Sequence, residues 1–65
     1  MEFRAGDLVQ TDDADRQRCL FLVLKLDKAG DPVVQVLRPR PSSSDYVGEV
    51  AAFFALDLRH VVGER

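Results

Sequence analysis

The 65-residue chain contains one cysteine, one histidine and no tryptophan. A single cysteine excludes a disulfide within the chain, and one Cys/His pair is too few for a zinc site with the usual four ligands. A chain of this length buries only about 60% of the surface that it exposes when unfolded, so its stability is marginal. Its remaining sources of stability are a well-packed core or association with another chain.

Long hydrophobic runs and an excess of basic charge are also missing. The longest apolar run, Val50–Leu56, has seven residues, far below the ~20 needed to cross a bilayer. Nine basic and eleven acidic residues give a net charge of −2, whereas nucleic-acid binders usually carry a basic excess that neutralises phosphates. The opening "MEFRAGD" lacks the pattern of a signal peptide. We therefore expect a soluble intracellular protein, with which a free thiol is compatible.

Short apolar runs are present, and turn residues separate them at the spacing typical of small all-β proteins. "LVQT" at 8–11 predicts a first strand, and the charged "DDADRQ" at 12–17 predicts a loop. A second strand at 18–26 and a third at 33–37 flank "DKAGDP". Gly30 in that segment can adopt positive φ, which favours a tight turn. These two strands are predicted to form an antiparallel hairpin.

The second half of the chain is less regular. Two prolines in "RPRPSSSD" at 38–45 predict an extended loop, because proline fixes φ and restricts the residue before it. The segment 46–54 is predicted to be a fourth strand. A helix over 48–59 is the alternative, since alanine and leucine favour it and the apolar spacing fits weakly. One tight helical turn and a short strand at 59–62 are predicted to end the fold.

The second predicted strand is apolar on both faces. "CLFLVLKL" at 19–26 has Cys19, Phe21, Val23 and Lys25 at its odd positions and leucine at every even position, whereas a half-solvated strand normally alternates. Curvature and a covering loop could bury both faces, or Leu20, Leu22 and Leu24 could contact another chain. Each leucine left in water forfeits about 1.5–3 kcal/mol, and contiguous apolar patches usually mark interaction sites. Because the fourth strand shows the same excess, we favour an interface.

The polar residues predict no catalytic, cofactor or metal site. "SSSD" at 42–45 with His60 contains the residue types of a hydrolase triad, but a serine-rich loop lacks the rigidity that a nucleophile needs. The acidic cluster at 12–15 lacks the glycine and the closing glutamate of a calcium loop. Cys19 lies in an apolar run and is expected to serve packing. We therefore expect a protein that is not an enzyme.

The order of these parts resembles a known family. "GDLV" at 6–9, the long hairpin, and a leucine-containing turn before a valine-rich strand at 56–62 resemble a five-stranded SH3-like barrel. More narrowly, they resemble the very small SH3-like barrel proteins encoded by tailed phages. The resemblance spans Phe3–Val62. It implies one all-β SH3-like domain over residues 1–65, with five antiparallel strands and a short helical turn before the last. It also implies a non-enzymatic building block, found in the virion or the host cytoplasm.

The expected function is a protein–protein interaction module, a virion or accessory component that self-assembles or docks on a larger scaffold protein. The candidate contact residues are Leu20, Leu22, Leu24, Tyr46 and Phe54, and the candidate polar-rim residues are Arg38 and Arg40. One alternative is a nucleic-acid-linked module in which the two arginines contact phosphates. Another is a small regulator or inhibitor of a host protein.

Overall fold

A computed structural model describes residues 2–11, 19–41 and 43–61. The elements along the chain are β1 (Leu8–Thr11), β2 (Leu20–Leu26), β3 (Pro32–Arg38), β4 (Val50–Ala52), a 3₁₀ turn (Ala55–Asp57) and β5 (Leu58–His60). The strands form one antiparallel sheet in the order β4-β3-β2-β1-β5. The predicted all-β class and the helical turn before the last strand are confirmed. Among the described residues, no helix is long and apolar enough to span a membrane.

The hairpin between β2 and β3 is closed by the side chain of Asp27. Its Oδ1 accepts hydrogen bonds from the backbone N–H groups of Ala29 and Asp31, each at 2.9 Å. Gly30 has φ of 87°, which a residue with a Cβ rarely adopts, and its N–H donates to the Asp27 carbonyl at 3.0 Å. The predicted hairpin is therefore confirmed, and its turn is determined by local residues.

The pairing between β2 and β3 is interrupted by two register shifts. Val23 pairs with Val34 and Lys25 pairs with Val33, so Leu24 is an extra residue in β2 at the second shift. Such bulges bend a strand and increase its twist. They allow the hairpin to curve around the side chains on its inner face. Within the described part of the chain the sheet is not closed, since β4 and β5 each pair with one neighbour.

The core lies on one face of the sheet. Phe21 pairs with Val36, and Val23 pairs with Val34, so these four side chains point to the same face. None is more than 1% exposed. The other buried apolar residues in the described chain are Phe3, Val9, Cys19, Pro32 and Leu58. Phe53 closes this face, with its ring centroid 5.1 Å from that of Phe21. Phe21 and Val23 of β2 therefore face the core, whereas Lys25, which follows the bulge, is exposed. The burial of Cys19 agrees with a packing role.

The fourth strand is shorter than predicted. The expected strand at 46–54 is reduced to β4, because 46–49 forms a turn in which the Glu49 N–H donates to the Tyr46 carbonyl at 3.1 Å. Gly48 has φ of 91° in this turn, which ends the extended conformation. The alternative helix over 48–59 is wrong, since only Ala55–Asp57 is helical. The pairing of β4 with β3 fixes its extended conformation.

Four predicted segments lie wholly or partly outside the described residues. They are the charged loop at 12–17, the first residue of the predicted second strand, Ser42 of the loop at 38–45, and the end of the predicted last strand. The observed β5 begins one residue earlier than predicted, at Leu58. Leu58 is 5% exposed, so its burial in the core accounts for this earlier start.

The burial of Phe21 generates a stability prediction with a matched control. Phe21→Ala should lower the free energy of unfolding by about 3–5 kcal/mol, which is most of the stability of a domain this small. Phe21 is 0% exposed, whereas Leu56 is 93% exposed. Leu56→Ala should therefore change the free energy of unfolding by less than about 0.5 kcal/mol. Urea titrations followed by circular dichroism measure both, and equal losses would contradict the placement of the core.

Candidate protein-binding surface

An apolar row crosses the face of the sheet opposite the core. Leu8 pairs with Leu22, Leu22 with Gln35, and Gln35 with Val50. Paired residues point to the same face of a sheet, so these four side chains form a continuous row from β1 to β4. Leu8 is 43% and Val50 is 55% exposed, and Leu22 is half-buried. Gln35 is the polar member of the row, and its Nε2 donates to the Gly48 carbonyl at 3.3 Å.

Neighbouring rows widen this surface and add cations at its margin. Val33 pairs with Ala52 on one side and with Lys25 on the other. Leu20 pairs with Arg38. Both Lys25 and Arg38 are exposed. We call this surface the outer apolar face, and define it by Leu8, Leu20, Leu22, Val33, Val50 and Ala52.

The candidate contact residues lie at three places. Leu20 and Leu22 belong to the outer apolar face, and Leu24 is 39% exposed at the bulge of β2. Phe54 is 70% exposed and extended, with φ of −69° and ψ of 135°, so it continues the line of Val50 and Ala52 beyond β4. Tyr46, 65% exposed, lies on the turn before β4, separate from the leucines of β2.

Sequence reasoning missed Leu8 and Val50 as members of this surface. Leu8 and Val9 are successive residues of β1, and Val9 is buried. Because successive side chains of a strand point to opposite faces, this alternation was the signal that could have placed Leu8 on the outer face. For Val50 the signal was ambiguous, since the segment around it fits both helical and extended spacing. Its place became evident only from the pairing with Gln35.

Arg40 is held by Asp45 and by an aromatic ring. Its Nε donates to Asp45 Oδ2 at 2.8 Å, and its Nη2 donates to Oδ1 at 2.9 Å. The guanidinium carbon lies 5.2 Å from the centroid of the Phe53 ring. The hydrogen bond from Arg40 is the main cause that lowers the pKa of Asp45 to about 2. Arg40 therefore anchors its loop on the core side, whereas Arg38 borders the outer apolar face, so the two predicted rim residues do not form one cationic patch.

A second polar contact joins the two ends of the described chain. Asp7 Oδ2 lies 2.9 Å from His60 Nε2, although the residues are 53 positions apart. The hydrogen bond with His60 is the main cause that lowers the pKa of Asp7, and a bond from the Arg4 backbone N–H at 2.8 Å adds to it. The Phe3 ring centroid lies 4.7 Å from that of His60. This contact holds Phe3 in the core and explains the position of His60.

Two possible nucleophiles in the described chain, Cys19 and Ser43, are engaged in structural contacts. The Cys19 Sγ lies 3.5 Å from Thr11 Oγ1 inside the core. The hydroxyl of Ser43 donates to the Arg40 carbonyl at 3.1 Å and accepts from the Asp45 N–H at 3.1 Å. Among the described residues, no group of three or more His, Cys, Asp or Glu side chains could hold a metal ion. The outer apolar face is therefore the strongest candidate site.

Comparisons with protein-family models, with curated proteins and with solved structures find no match to this chain.

The Arg40–Asp45 pair predicts a pH-dependent contribution to stability. The folded-state pKa of Asp45 is about 2, below the ordinary value of 3.8, so the stabilisation is present above pH ~4 and is lost as the pH falls through ~2. Asp45→Asn should lower the free energy of unfolding at pH 7 by about 1–2 kcal/mol, after allowance for solvent screening of the partly exposed Arg40. The difference from wild type should shrink between pH 4 and pH 2.

Urea titrations at pH 7, 4 and 2 measure this difference. Asp7 is present in both proteins and cancels in the comparison. Asp57→Asn, a matched change at an exposed residue of the 3₁₀ turn, should alter the unfolding midpoint little. A difference that stays constant down to pH 2 would contradict the assigned role of Asp45.

Proposed function

We propose that this protein is a non-enzymatic protein–protein interaction module that assembles with copies of itself through the outer apolar face. We further propose that it is a small structural or accessory component of a phage virion. The sequence resemblance to small phage SH3-like barrel proteins supports that setting. The strand order β4-β3-β2-β1-β5, with a 3₁₀ turn before β5, supports an SH3-like barrel as the finer fold.

The observation that carries the proposal is the composition of the outer apolar face. Its leucines and valines lie on four adjacent strands, and complete burial of such a side chain contributes about 1.5–3 kcal/mol. Lys25 and Arg38 lie at its margin. An apolar centre with charges confined to the rim is the usual anatomy of a protein interface, and contiguous apolar patches on small proteins usually mark contact sites.

A second copy of the chain is the occupant that the size of the protein favours. A 65-residue chain has limited apolar surface to bury, and small domains without disulfides or metals commonly gain stability from association. The core already uses one face of the sheet. Association through the opposite face adds burial without any change in the fold.

Leu22→Asp tests this proposal against a neighbouring control. Leu22 lies at the centre of the outer apolar face and is half-buried, whereas Val23 points into the core and is 1% exposed. Leu22→Asp should retain the wild-type circular dichroism spectrum but show a lower solution mass at equal concentration. Val23→Asp should abolish the cooperative unfolding transition, because it places a charge in the core.

Light scattering over a wide concentration range supplies the masses. A wild-type protein that stays monomeric throughout would overturn self-assembly. An unchanged mass for Leu22→Asp would remove the outer apolar face from the contact. Unfolding of Leu22→Asp would assign Leu22 to the core.

A further inference from the structure

Within the described residues, β4 is an edge strand whose backbone pairs with β3 on one side only. Val36 N–H donates to the Glu49 carbonyl at 2.8 Å, and Phe53 N–H donates to the Pro32 carbonyl at 3.1 Å. Hydrogen bonds alternate along an antiparallel strand, so Val50 and Ala52, which lie between these bonds, direct their N–H and C=O groups away from β3. Within the described residues, no strand pairs with that side of β4. The open edge therefore presents alternating donors and acceptors to an extended strand.

The side chains of this edge favour pairing. Monomeric proteins usually protect an edge strand by keeping it very short, or with lysine, proline, a bulge or a covering segment. β4 is short, with three residues, but its sequence Val-Ala-Ala has no lysine or proline and its pairing with β3 has no register shift. Val50 and Ala52 are both exposed. A short edge of exposed, uncharged residues can accept an added strand.

We propose that β4 of one copy pairs with β4 of a second copy, antiparallel and with the two-fold axis at Ala51. Val50 of each copy then lies opposite Ala52 of the other, and their outward N–H and C=O groups satisfy each other. This pairing joins two sheets into one and keeps both outer apolar faces on the same side. The inference rests on the proposed self-assembly and adds a second contact to it, because pairing at this edge leaves both outer apolar faces uncovered.

The register is self-complementary, which favours a second copy as the added strand. Val50 and Ala52 are the residues of β4 whose backbone groups point away from β3. A two-fold axis at Ala51 places Val50 of each copy opposite Ala52 of the other, so the outward donors and acceptors of both copies are paired. Parallel pairing would instead place the two Glu49 carboxylates side by side.

Disulfide cross-linking between two copies tests the register that has its two-fold axis at Ala51. In the proposed pair the two Ala51 residues face each other, with Cα atoms about 4.5 Å apart as in a non-hydrogen-bonded antiparallel pair, which a disulfide can bridge. The two Ala52 residues are diagonal neighbours about 7–8 Å apart, beyond that reach. Ala51→Cys should therefore cross-link at least about tenfold faster than Ala52→Cys under the same oxidant. The buried Cys19 is present in both variants and contributes equally.

Random collision predicts the opposite order, since Ala52 is exposed and Ala51 is half-buried. Equal rates, or faster cross-linking of Ala52→Cys, would overturn the β4 pairing. Introducing Ala52→Pro into the Ala51→Cys variant removes the outward N–H while sparing the bonds to β3, so it should abolish the rapid cross-link with an unchanged circular dichroism spectrum. If that double variant unfolds, the relative cross-linking rates of Ala51→Cys and Ala52→Cys alone test the β4 pairing.

The two proposals fail separately. A lower mass for Leu22→Asp without preferential cross-linking of Ala51→Cys retains the outer apolar face and rejects the β4 pairing. Preferential cross-linking with an unchanged mass for Leu22→Asp retains the β4 pairing and rejects the outer apolar face. A monomeric wild type with no cross-linking rejects both.

Discussion

The pairing of β2 with β3 is the constraint on which the rest of the structure depends. It places Phe21 beside Val36 and Val23 beside Val34 on one face of the sheet. Because successive side chains of a strand point to opposite faces, the same register places Leu22 beside Gln35 on the other face. The buried core and the outer apolar face are therefore two consequences of one alignment. A slip of one residue would exchange them.

The polar contacts of the chain close the core side of this sheet. Arg40 is held by Asp45 and lies over Phe53, which itself packs on Phe21. Asp7 holds His60, whose ring contacts Phe3. Both contacts keep aromatic side chains against the core, so the loop that carries Arg40 and the N-terminal segment both lie on the core side of the sheet. The outer apolar face lies on the opposite side of the sheet, next to the edge of β4 that no strand of the described residues pairs with.

Local chemistry explains why several features could be predicted. Asp27 and Gly30 close the hairpin with bonds that span only four residues, so the turn is readable from its own segment. The all-β class follows from short apolar runs between turn residues. The segment around β4 was less predictable, because its apolar residues fit both helical and extended spacing. Pairing with β3 makes residues 50–52 a strand, and the positive φ of Gly48 limits the length of that strand.

The sequence by itself determined that β2 would carry apolar side chains on both faces. Only the tertiary structure decided which of the two faces forms the core. Both faces are similarly apolar, so the choice depends on the residues brought opposite them by pairing and packing. Contacts such as Asp7 with His60 join residues 53 positions apart. Such partners share no local pattern, because the fold alone brings them together.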